Sequence, residues 1–489
     1  MKIAVMCDMH LPYEKDAVQY DYFDLAIEDI KNTKPDYTIV AGDITAYAEM
    51  ESTDAFIEKI SELNNVIVVA GNSDVRSKNE KILSFAKGGT IDAGRKILCI
   101  NTPHGYITKE DFEKIENLND GDVFVMHHYV KRGLDAKTKE RLFKILDEKS
   151  IIVICGHIHS FADETVGKSR VVALRALDAE KTIGAPPCIT YFNITKDEFS
   201  YEEKIFSIPK ENMNGFRDLI GISCFDVETT FDYAVKSNIK NIELRKYSED
   251  DGLFDLTVEK VNMWRKKCGN VLSMHMPDVN FEDGKIVYPK WEYALKLAKA
   301  TGVTSMTVHP PRVSVEFMKE HFDEFISIYY DIFSKLPSDI KIGFENMHMR
   351  KGIDNADETR GYGYLPPETN ALIDAVNKKF GYERVGAVVD IGHARNNMPY
   401  NSIYPIGTWL AIMGKKIVAF HIHQSVKDEK LGLRNHNAIT NWHGPMISYS
   451  GIFKAWEKNK INRCPMFLEL RKLEEAIESI EAFDKLTEF

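Results

Sequence analysis

The sequence predicts an α/β protein of two domains, the second of which is a closed (β/α)8 barrel. At 489 residues the chain exceeds the size at which one hydrophobic core is usual. Its first third carries short, β-branched apolar runs that each end in polar residues. From residue 216 on, eight apolar runs alternate with stretches of helical periodicity, which is the pattern of eight strand–helix units. A doubly wound open sheet is the alternative for this part, but the absence of a Gly-rich phosphate loop favours closure.

The composition is that of a globular protein and argues against several classes of function. Hydrophobic residues make up 44% of the chain, and no apolar stretch reaches the length of a membrane span, so no membrane partner is expected. The net charge of −11, without a Lys/Arg block, argues against strong non-specific binding of nucleic acid. Seven scattered cysteines without a Cys-x-x-Cys pair indicate reduced thiols. Cleavage of an N-terminal signal peptide would remove Asp8, which is a candidate metal ligand. We therefore expect a cytoplasmic protein.

Five short segments in the first third carry metal-ligand residue types, each at the end of an apolar run. The runs are continuous and β-branched, as buried strands of parallel sheets are. Because the carboxyl ends of parallel strands meet at one edge of a sheet, we expect these side chains to converge there. The segments are Cys7–His10, Ala41–Asp43, Ala70–Asp74, Val125–His128 and Cys155–His159.

These residue types suit two divalent transition metals. A carboxylate such as Asp43 can bridge two cations, and neutral imidazoles leave the cations electrophilic. Asp8 and His10 are two residues apart, as are His157 and His159, so each pair points to one side of an extended segment. The combination of five such motifs therefore predicts a dinuclear metal site.

The order Asp-x-His, Gly-Asp, Gly-Asn-x-Asp, His-His, Gly-His-x-His resembles that of the calcineurin-like metallophosphoesterases over residues 1–207. The resemblance implies an αββα sandwich of two sheets flanked by helices, and hydrolysis of phosphoester bonds. It implies two divalent metals (Mn, Fe, Zn or Ni) with Asp43 between them. The implied ligands are Asp8, His10 and His159 on one metal and Asn72, His127 and His157 on the other.

One position departs from that family's pattern. Many members have a histidine after Gly-Asn, where it contacts the phosphoryl oxygen or protonates the leaving group, whereas this chain has Ser73. A serine cannot act as a cationic acid near neutral pH. Ser73 and His128 are the candidate catalytic residues here, and His128 or His104 could replace the missing acid. The departure predicts a preference for phosphodiesters, or for monoesters with good leaving groups.

Residues 208–215 are polar and contain Pro and Gly, which predicts a linker, and the barrel is expected over residues 216–489. Barrel active sites lie at the carboxyl ends of the strands. A carboxylate at the end of an apolar strand is costly without a cation or hydrogen-bond partners, so Glu345, Asp390 and Glu469 predict a metal site. The candidate ligands at or beyond the strand ends are His275, His309, Glu345, Asp390, His393, His421, His423, His436 and Glu469.

These strand ends resemble those of the xylose-isomerase-like superfamily, which includes sugar and sugar-phosphate isomerases and epimerases and the endonuclease IV type of DNA-repair nuclease. The resemblance implies a TIM barrel with Mn or Zn and, in isomerases, proton transfer by two glutamates that match Glu345 and Glu469. It also implies Asp390 as a ligand, together with His423 or His421; His423 is preferred because it lies nearer the strand end. The matching pieces are Ile242–Arg245, His309-Pro310, Phe344–Asn346, Val389–His393, His421–His423 and Leu468–Leu470.

The endonuclease branch implies up to three metals. Its two early histidines match His275 and His309, and its Asp-x-x-His matches Asp390 and His393. Its later Asp-x-His is matched only in part, by His436, because the chain has an arginine where that branch has the aspartate. The sequence thus predicts one to three metals in the barrel.

Three functions fit these patterns. The first is a bifunctional enzyme that joins a phosphoesterase to a sugar isomerase or epimerase. The second is a nucleic-acid processing enzyme that joins a phosphodiesterase to an endonuclease-like barrel. In the third, the barrel only binds the substrate. The acidic charge and the incomplete endonuclease ligand set favour the first, so the expected partner is a phosphorylated small molecule, with nucleic acid as the alternative and no oligomeric state predicted.

Overall fold

The computed structural model describes all residues except 246–250, 284, 289, 350–359, 429–431 and 487–488. The described residues form two compact units. Among the described residues, the first comprises Met1–Pro209, Trp442–Lys454 and Phe489, and the second comprises Lys210–Asn441 and residues 455–486. The segment Trp442–Lys454 thus groups with the first unit although it lies in the predicted barrel region of the sequence.

The first unit consists of strands in two sheets and of helices that flank them. Its strands are β1 (Lys2–Met6), β2 (Tyr37–Ala41), β3 (Val66–Val69), β4 (Gly89–Asp92), β5 (Lys96–Cys99), β6 (Val123–Val125), β7 (Ile152–Cys155), β8 (Ala162–Val166), β9 (Ser169–Ala173), β10 (Cys188–Ile194) and β11 (Phe199–Ile205). Its α-helices are α1 (Val18–Thr33), α2 (Met50–Ile60), α3 (Lys81–Phe85), α4 (Lys109–Glu116) and α5 (Ala136–Glu148).

The two sheets pack face to face. One has the strand order β11-β10-β1-β2-β3 and the other β4-β5-β6-β7-β9-β8. Strand β6 shows how alternation builds the layers: Val123 and Val125 join the core shared with the other sheet, whereas Phe124 packs on the opposite face with Leu142 of α5. The predicted αββα sandwich is confirmed.

The second unit is built around a closed barrel. Its strands are β12 (Ile220–Ser223), β13 (Asn241–Leu244), β14 (Val271–His275), β15 (Asn280–Glu282), β16 (Lys285–Val287), β17 (Ser305–Val308), β18 (Lys341–Glu345), β19 (Val385–Asp390), β20 (Ile417–Ile422), β21 (Gln424–Asp428), β22 (Gly432–Asn437) and β23 (Met466–Leu468). The α-helices after Pro209 are α6 (Val227–Lys236), α7 (Asp251–Lys267), α8 (Trp291–Thr301), α9 (Val315–Phe333), α10 (Pro366–Phe380), α11 (Ile391–Asn396), α12 (Ile406–Met413), α13 (Ser450–Glu457) and α14 (Leu473–Phe483).

Eight of these strands close in the order β12-β13-β14-β17-β18-β19-β20-β23. All neighbouring pairs are parallel, and β12 pairs with β23, which excludes the open sheet. Each barrel strand coincides with one of the eight apolar runs of the sequence, so the predicted (β/α)8 barrel is confirmed. Within the described residues, no helix combines the length and the apolar composition needed to cross a bilayer.

The barrel requires a glycine where two strands approach closely. A Cβ atom at Gly386 of β19 would lie 2.2 Å from the carbonyl oxygen of Lys416. We expect Gly386→Ala to destabilise the barrel by about 2 kcal/mol or more, because backbone must move to make room. Thermal unfolding measures this, with Gly89→Ala as the control, since its Cβ would meet only the flexible end of Ile67 at 3.2 Å. Equal midpoints for the two variants would contradict the close approach.

Candidate metal centres

The five predicted segments of the first unit meet around Asp43. This buried carboxylate faces two different histidines: Oδ2 lies 3.2 Å from Nε2 of His10, and Oδ1 lies 3.3 Å from Nε2 of His127. Asp43 follows β2 at the carboxyl end of the parallel strands, which is the position that the sequence predicts for it. Its two oxygens thus face histidines of two neighbouring groups of candidate ligands.

The first group consists of Asp8, His10, Asp43 and His159, which each offer one ligand atom within 4.8 Å of the others. Oδ1 of Asp8 lies 3.4 Å from Nε2 of His159, and Oδ2 of Asp8 accepts a hydrogen bond from the N–H of His157 at 2.9 Å. Two carboxylates and two imidazoles form a mixed N/O set that suits a divalent transition metal.

The second group consists of His127, His128 and His157, again with ligand atoms within 4.8 Å of one another. Asn72 belongs beside it, because its Oδ1 lies 3.3 Å from Nε2 of His127 and 3.1 Å from Nδ1 of His157. The structure therefore brings together all seven predicted ligands of this unit and adds His128 to them.

The backbone at these ligands adopts a conformation that is uncommon for residues other than glycine. A left-handed φ costs about 1–3 kcal/mol per residue and clusters at functional sites. The residues with positive φ among the predicted ligands of the first unit are Asp8, His10, Asp43, His157 and His159.

Glycines allow the backbone to approach the ligands. A Cβ atom at Gly71 would lie 2.4 Å from Oδ1 of Asp43, and one at Gly156 would lie 2.5 Å from Oδ2 of Asp8. The glycines of these two motifs are thus required because a larger residue would occupy the space beside a carboxylate.

Of the two residues considered for catalysis, His128 belongs to the second group and Ser73 contacts Asp43. The N–H of Ser73 donates to Oδ1 of Asp43 at 2.7 Å, while the Ser73 hydroxyl is buried and has no hydrogen-bond partner among the described residues. Nδ1 of His128 lies 3.1 Å from Oγ1 of Thr102. Burial, with the neighbouring His127 and His157, lowers the pKa of His128 to about 3, so His128 is neutral near pH 7. Neither side chain is a cationic acid in this structure.

Buried carboxylates set the charge of the site. Burial acts to raise the pKa of Asp43, yet His127 and His10 hold it well below its usual value. Burial likewise acts to lower the pKa of His127, and Asp43 instead raises it to about 9. The carboxylates therefore demand positive charge beside them, and divalent cations fit this donor set.

Sequence reasoning missed Asp178, which lies behind the first group. Its Oδ2 is 3.2 Å from Nδ1 of His10, the ring nitrogen that faces away from Asp43, and Lys181 is 3.4 Å from the same oxygen. The contact is at ion-pair distance without hydrogen-bond geometry, and a carboxylate behind a ligating histidine is the arrangement that positions such a ring. Asp178 follows no apolar strand directly, and it is far from His10 in the chain, so no local pattern indicated it.

In the barrel, the corresponding shared carboxylate is Glu345 at the end of β18. Its Oε2 lies 3.1 Å from Nε2 of His275 and 3.2 Å from Nε2 of His309, while its Oε1 lies 3.0 Å from Nδ1 of His421. His275, His309 and Glu345 form one group with ligand atoms within 4.8 Å. Glu345 is also part of a second group, whereas Asp43 belongs to one group and faces His127 of the other.

That second group consists of Glu345, Asp390, His421 and Glu469. Oε2 of Glu469 lies 3.0 Å from Nδ1 of His421. Oδ2 of Asp390 is buried and has no hydrogen-bond partner within the described part of the chain, although buried carboxylate oxygens are normally satisfied. A divalent cation among these groups would satisfy it, so the residues fit a metal.

The other three predicted ligands border this group. Nε2 of His423 lies 3.3 Å from Oδ1 of Asp390, and Nδ1 of His423 accepts the N–H of His436 at 3.1 Å. His393 lies beside the group of four, with Nδ1 at 3.6 Å from Oε1 of Glu345 and Nε2 at 3.8 Å from Oδ2 of Asp390. His421 and not His423 thus lies in the group of four, and the preference for His423 stays a prediction.

Sequence reasoning also missed Glu243 of β13. Its Oε1 and Oε2 both lie 3.1 Å from Nε2 of His421, an arrangement that leaves Nδ1 of His421 toward Glu345 and Glu469. Burial acts to raise the pKa of Glu243, but His421 and Arg245 hold it at about 2. The sequence feature that could have identified Glu243 is a carboxylate in a short apolar strand, which is the feature that predicted Glu345 as a ligand.

The role of Asp178 gives a direct test. Asp178→Asn should weaken Mn²⁺ binding at the group that contains His10 by about 10- to 100-fold, because an outer carboxylate raises the basicity of the histidine and orients it. Calorimetric titration of the metal-free full chain measures the affinity. The control is Asp163→Asn, whose carboxylate pairs with Arg170 near the surface. Equal affinities for the two variants would show that Asp178 does not position His10.

Comparisons with known proteins match each part of the chain to a family. Residues 1–183 match the family model of the calcineurin-like phosphoesterase superfamily domain, and residues 279–486 match that of the xylose isomerase-like TIM barrel. No curated protein matches the chain.

Solved structures resemble each part at low identity. A xylose isomerase domain protein from Alicyclobacillus acidocaldarius subsp. acidocaldarius is 14% identical over 54% of this chain and 97% of its own, with a TM-score of 0.40. Endonuclease IV from Thermus thermophilus is 12% identical over 55% of this chain and 99% of its own, with a TM-score of 0.33. A predicted phosphoesterase from Streptococcus pneumoniae is 15% identical over 42% of this chain and 88% of its own, with a TM-score of 0.25. The two family matches thus identify a calcineurin-like phosphoesterase domain in residues 1–183 and a xylose isomerase-like TIM barrel in residues 279–486 of the same chain.

Proposed function

We propose that the first unit is a metal-dependent phosphoesterase whose centre holds two divalent metals, one on each side of Asp43. The observation that carries the proposal is the position of this carboxylate, whose two oxygens face His10 in one ligand group and His127 in the other. Metals bound there would activate water and stabilise negative charge on a phosphoryl group.

The residues around the centre favour phosphodiesters, or monoesters with good leaving groups. Ser73 contributes its N–H to Asp43 and so positions the carboxylate. His128 is neutral near pH 7, so its single ring N–H can hydrogen-bond to a substrate oxygen, but the ring lacks the second proton with which an imidazolium would act as a general acid. Without a cationic acid, a poor leaving group gains little protonation. A phosphorylated small molecule is the proposed substrate, with nucleic acid as the alternative, and the cytoplasmic location stays a prediction.

Asp43→Asn tests the phosphoesterase. The variant should lose the metals of the first unit and at least about 1,000-fold of the activity on bis-p-nitrophenyl phosphate, because no other carboxylate among the described residues contacts imidazole nitrogens of both groups. Hydrolysis and metal content are measured on the full chain, with Asp54→Asn as the control, since that carboxylate pairs with Lys81 at the surface. Full activity with unchanged metal content in Asp43→Asn would refute the proposal.

For the barrel, two candidate functions depend on different ligand groups. The group of four, with Glu345 and Glu469 in it, suffices for one metal and for proton transfer in a sugar isomerase or epimerase. His275 and His309 face the other oxygen of Glu345 and supply ligands for a second metal. The sharing of Glu345 favours the second candidate, cleavage of P–O bonds by an endonuclease-like centre, and disfavours a barrel that only binds substrate.

Counting metals separates these candidates. The full-length Asp43→Asn variant should bind at least two equivalents of Mn²⁺ or Zn²⁺ more than the Asp43→Asn/Glu345→Gln double variant, because Glu345 belongs to both barrel groups. Mass spectrometric metal analysis of the dialysed proteins gives the difference. A difference of one equivalent would favour the isomerase, and no difference would leave the barrel as a binding module.

A further inference from the structure

We infer that the mouth of the barrel binds a phosphate group of its substrate through Arg245, Arg312 and Arg471. The three arginines line one cavity of about 310 Å³ together with candidate metal ligands that include Glu345 and Glu469. This volume lies at the small end of the range for ligand pockets. The inference rests on the proposed barrel function only in that the substrate of the barrel occupies this cavity.

Arg245 is oriented for such a contact by two carboxylates. Its Nε donates to Oε2 of Glu243 at 3.1 Å, and its Nη1 donates to Oε1 of Glu469 at 2.5 Å. Its Nη2 is buried and has no hydrogen-bond partner among the described residues. Buried donors are normally satisfied, and a guanidinium can only donate, so the partner that suits Nη2 is an acceptor on a ligand in the cavity.

The other two arginines add positive charge to the same cavity. Arg312 donates from Nε to Oδ2 of Asp278 at 2.6 Å, which leaves the end of the guanidinium toward His309 and the cavity. Arg471 lies two residues beyond Glu469, and no carboxylate of the described residues forms an ion pair with its side chain. Arg245 and Arg312 are paired with carboxylates through part of each guanidinium, so Arg471 supplies the positive charge that no such pair compensates.

This arrangement favours an oxyanion, and among oxyanions a phosphate. The lining carboxylates Glu345 and Glu469 are held by histidines and by Arg245, and Asp278 pairs with Arg312. Arg471 is therefore the arginine of this cavity whose side chain has no carboxylate partner among the described residues. Arginine recognises tetrahedral phosphate oxygens through charge-assisted hydrogen bonds, and several arginines can share one dianion. A substrate whose phosphate contacts the arginines would place the rest of its length over the metal ligands that line the same cavity.

The test uses the full-length Asp43→Asn variant as the parent, so that the centre of the first unit does not contribute. Inorganic phosphate and acetate are titrated calorimetrically into the parent and into its Arg312→Gln and Arg471→Gln derivatives. Phosphate affinity should fall about tenfold or more in each derivative, because each loses a charge-assisted contact. The matched control is Arg170→Gln, since Arg170 pairs with Asp163 outside the cavity, and it should bind phosphate as the parent does.

Three results would overturn the inference: no phosphate binding by the parent, equal phosphate affinity in parent and both arginine variants, or binding of acetate without phosphate. Circular dichroism confirms that each variant is folded. The metal count of the barrel is independent of this outcome. If the barrel binds metals but phosphate binding does not depend on the arginines, only this inference is refuted. If phosphate binding depends on the arginines but the barrel binds no metals, only the proposed metal centre of the barrel is refuted.

Discussion

Each unit of this protein depends on one buried carboxylate whose two oxygens face different groups of metal-ligand side chains. Asp43 lies between His10 and His127 in the sandwich, and Glu345 lies between His275 and His421 in the barrel. A buried ionised carboxylate is costly unless positive charge and hydrogen bonds compensate it. The surrounding histidines provide that compensation in both units.

A second layer of carboxylates supports both arrangements. Asp178 contacts the far ring nitrogen of His10, and Glu243 contacts the far ring nitrogen of His421. Such contacts fix the orientation of an imidazole and leave its other nitrogen toward the ligand group. Two unrelated folds thus reach the same local solution, a shared carboxylate with a histidine held from behind by another carboxylate.

The fold was largely predictable because its signals are local. Continuous apolar runs define the barrel strands, and the polar residue after each run is the one that the parallel topology brings to the shared edge. The ligand groups of the sandwich could be predicted for the same reason. Asp178 could not, since its role depends on a contact with His10 across the fold, and Glu243 was overlooked although its strand carried the signal used for Glu345. The grouping of Trp442–Lys454 with the first unit is likewise a tertiary effect with no pattern in the sequence.

The most direct test of the shared-carboxylate arrangement is a crystal of the full chain loaded with Mn²⁺, measured for anomalous scattering at the manganese edge. The account predicts a pair of anomalous peaks on the two sides of Asp43 and a pair on the two sides of Glu345. A single peak at either carboxylate, or peaks that contact neither one, would contradict it.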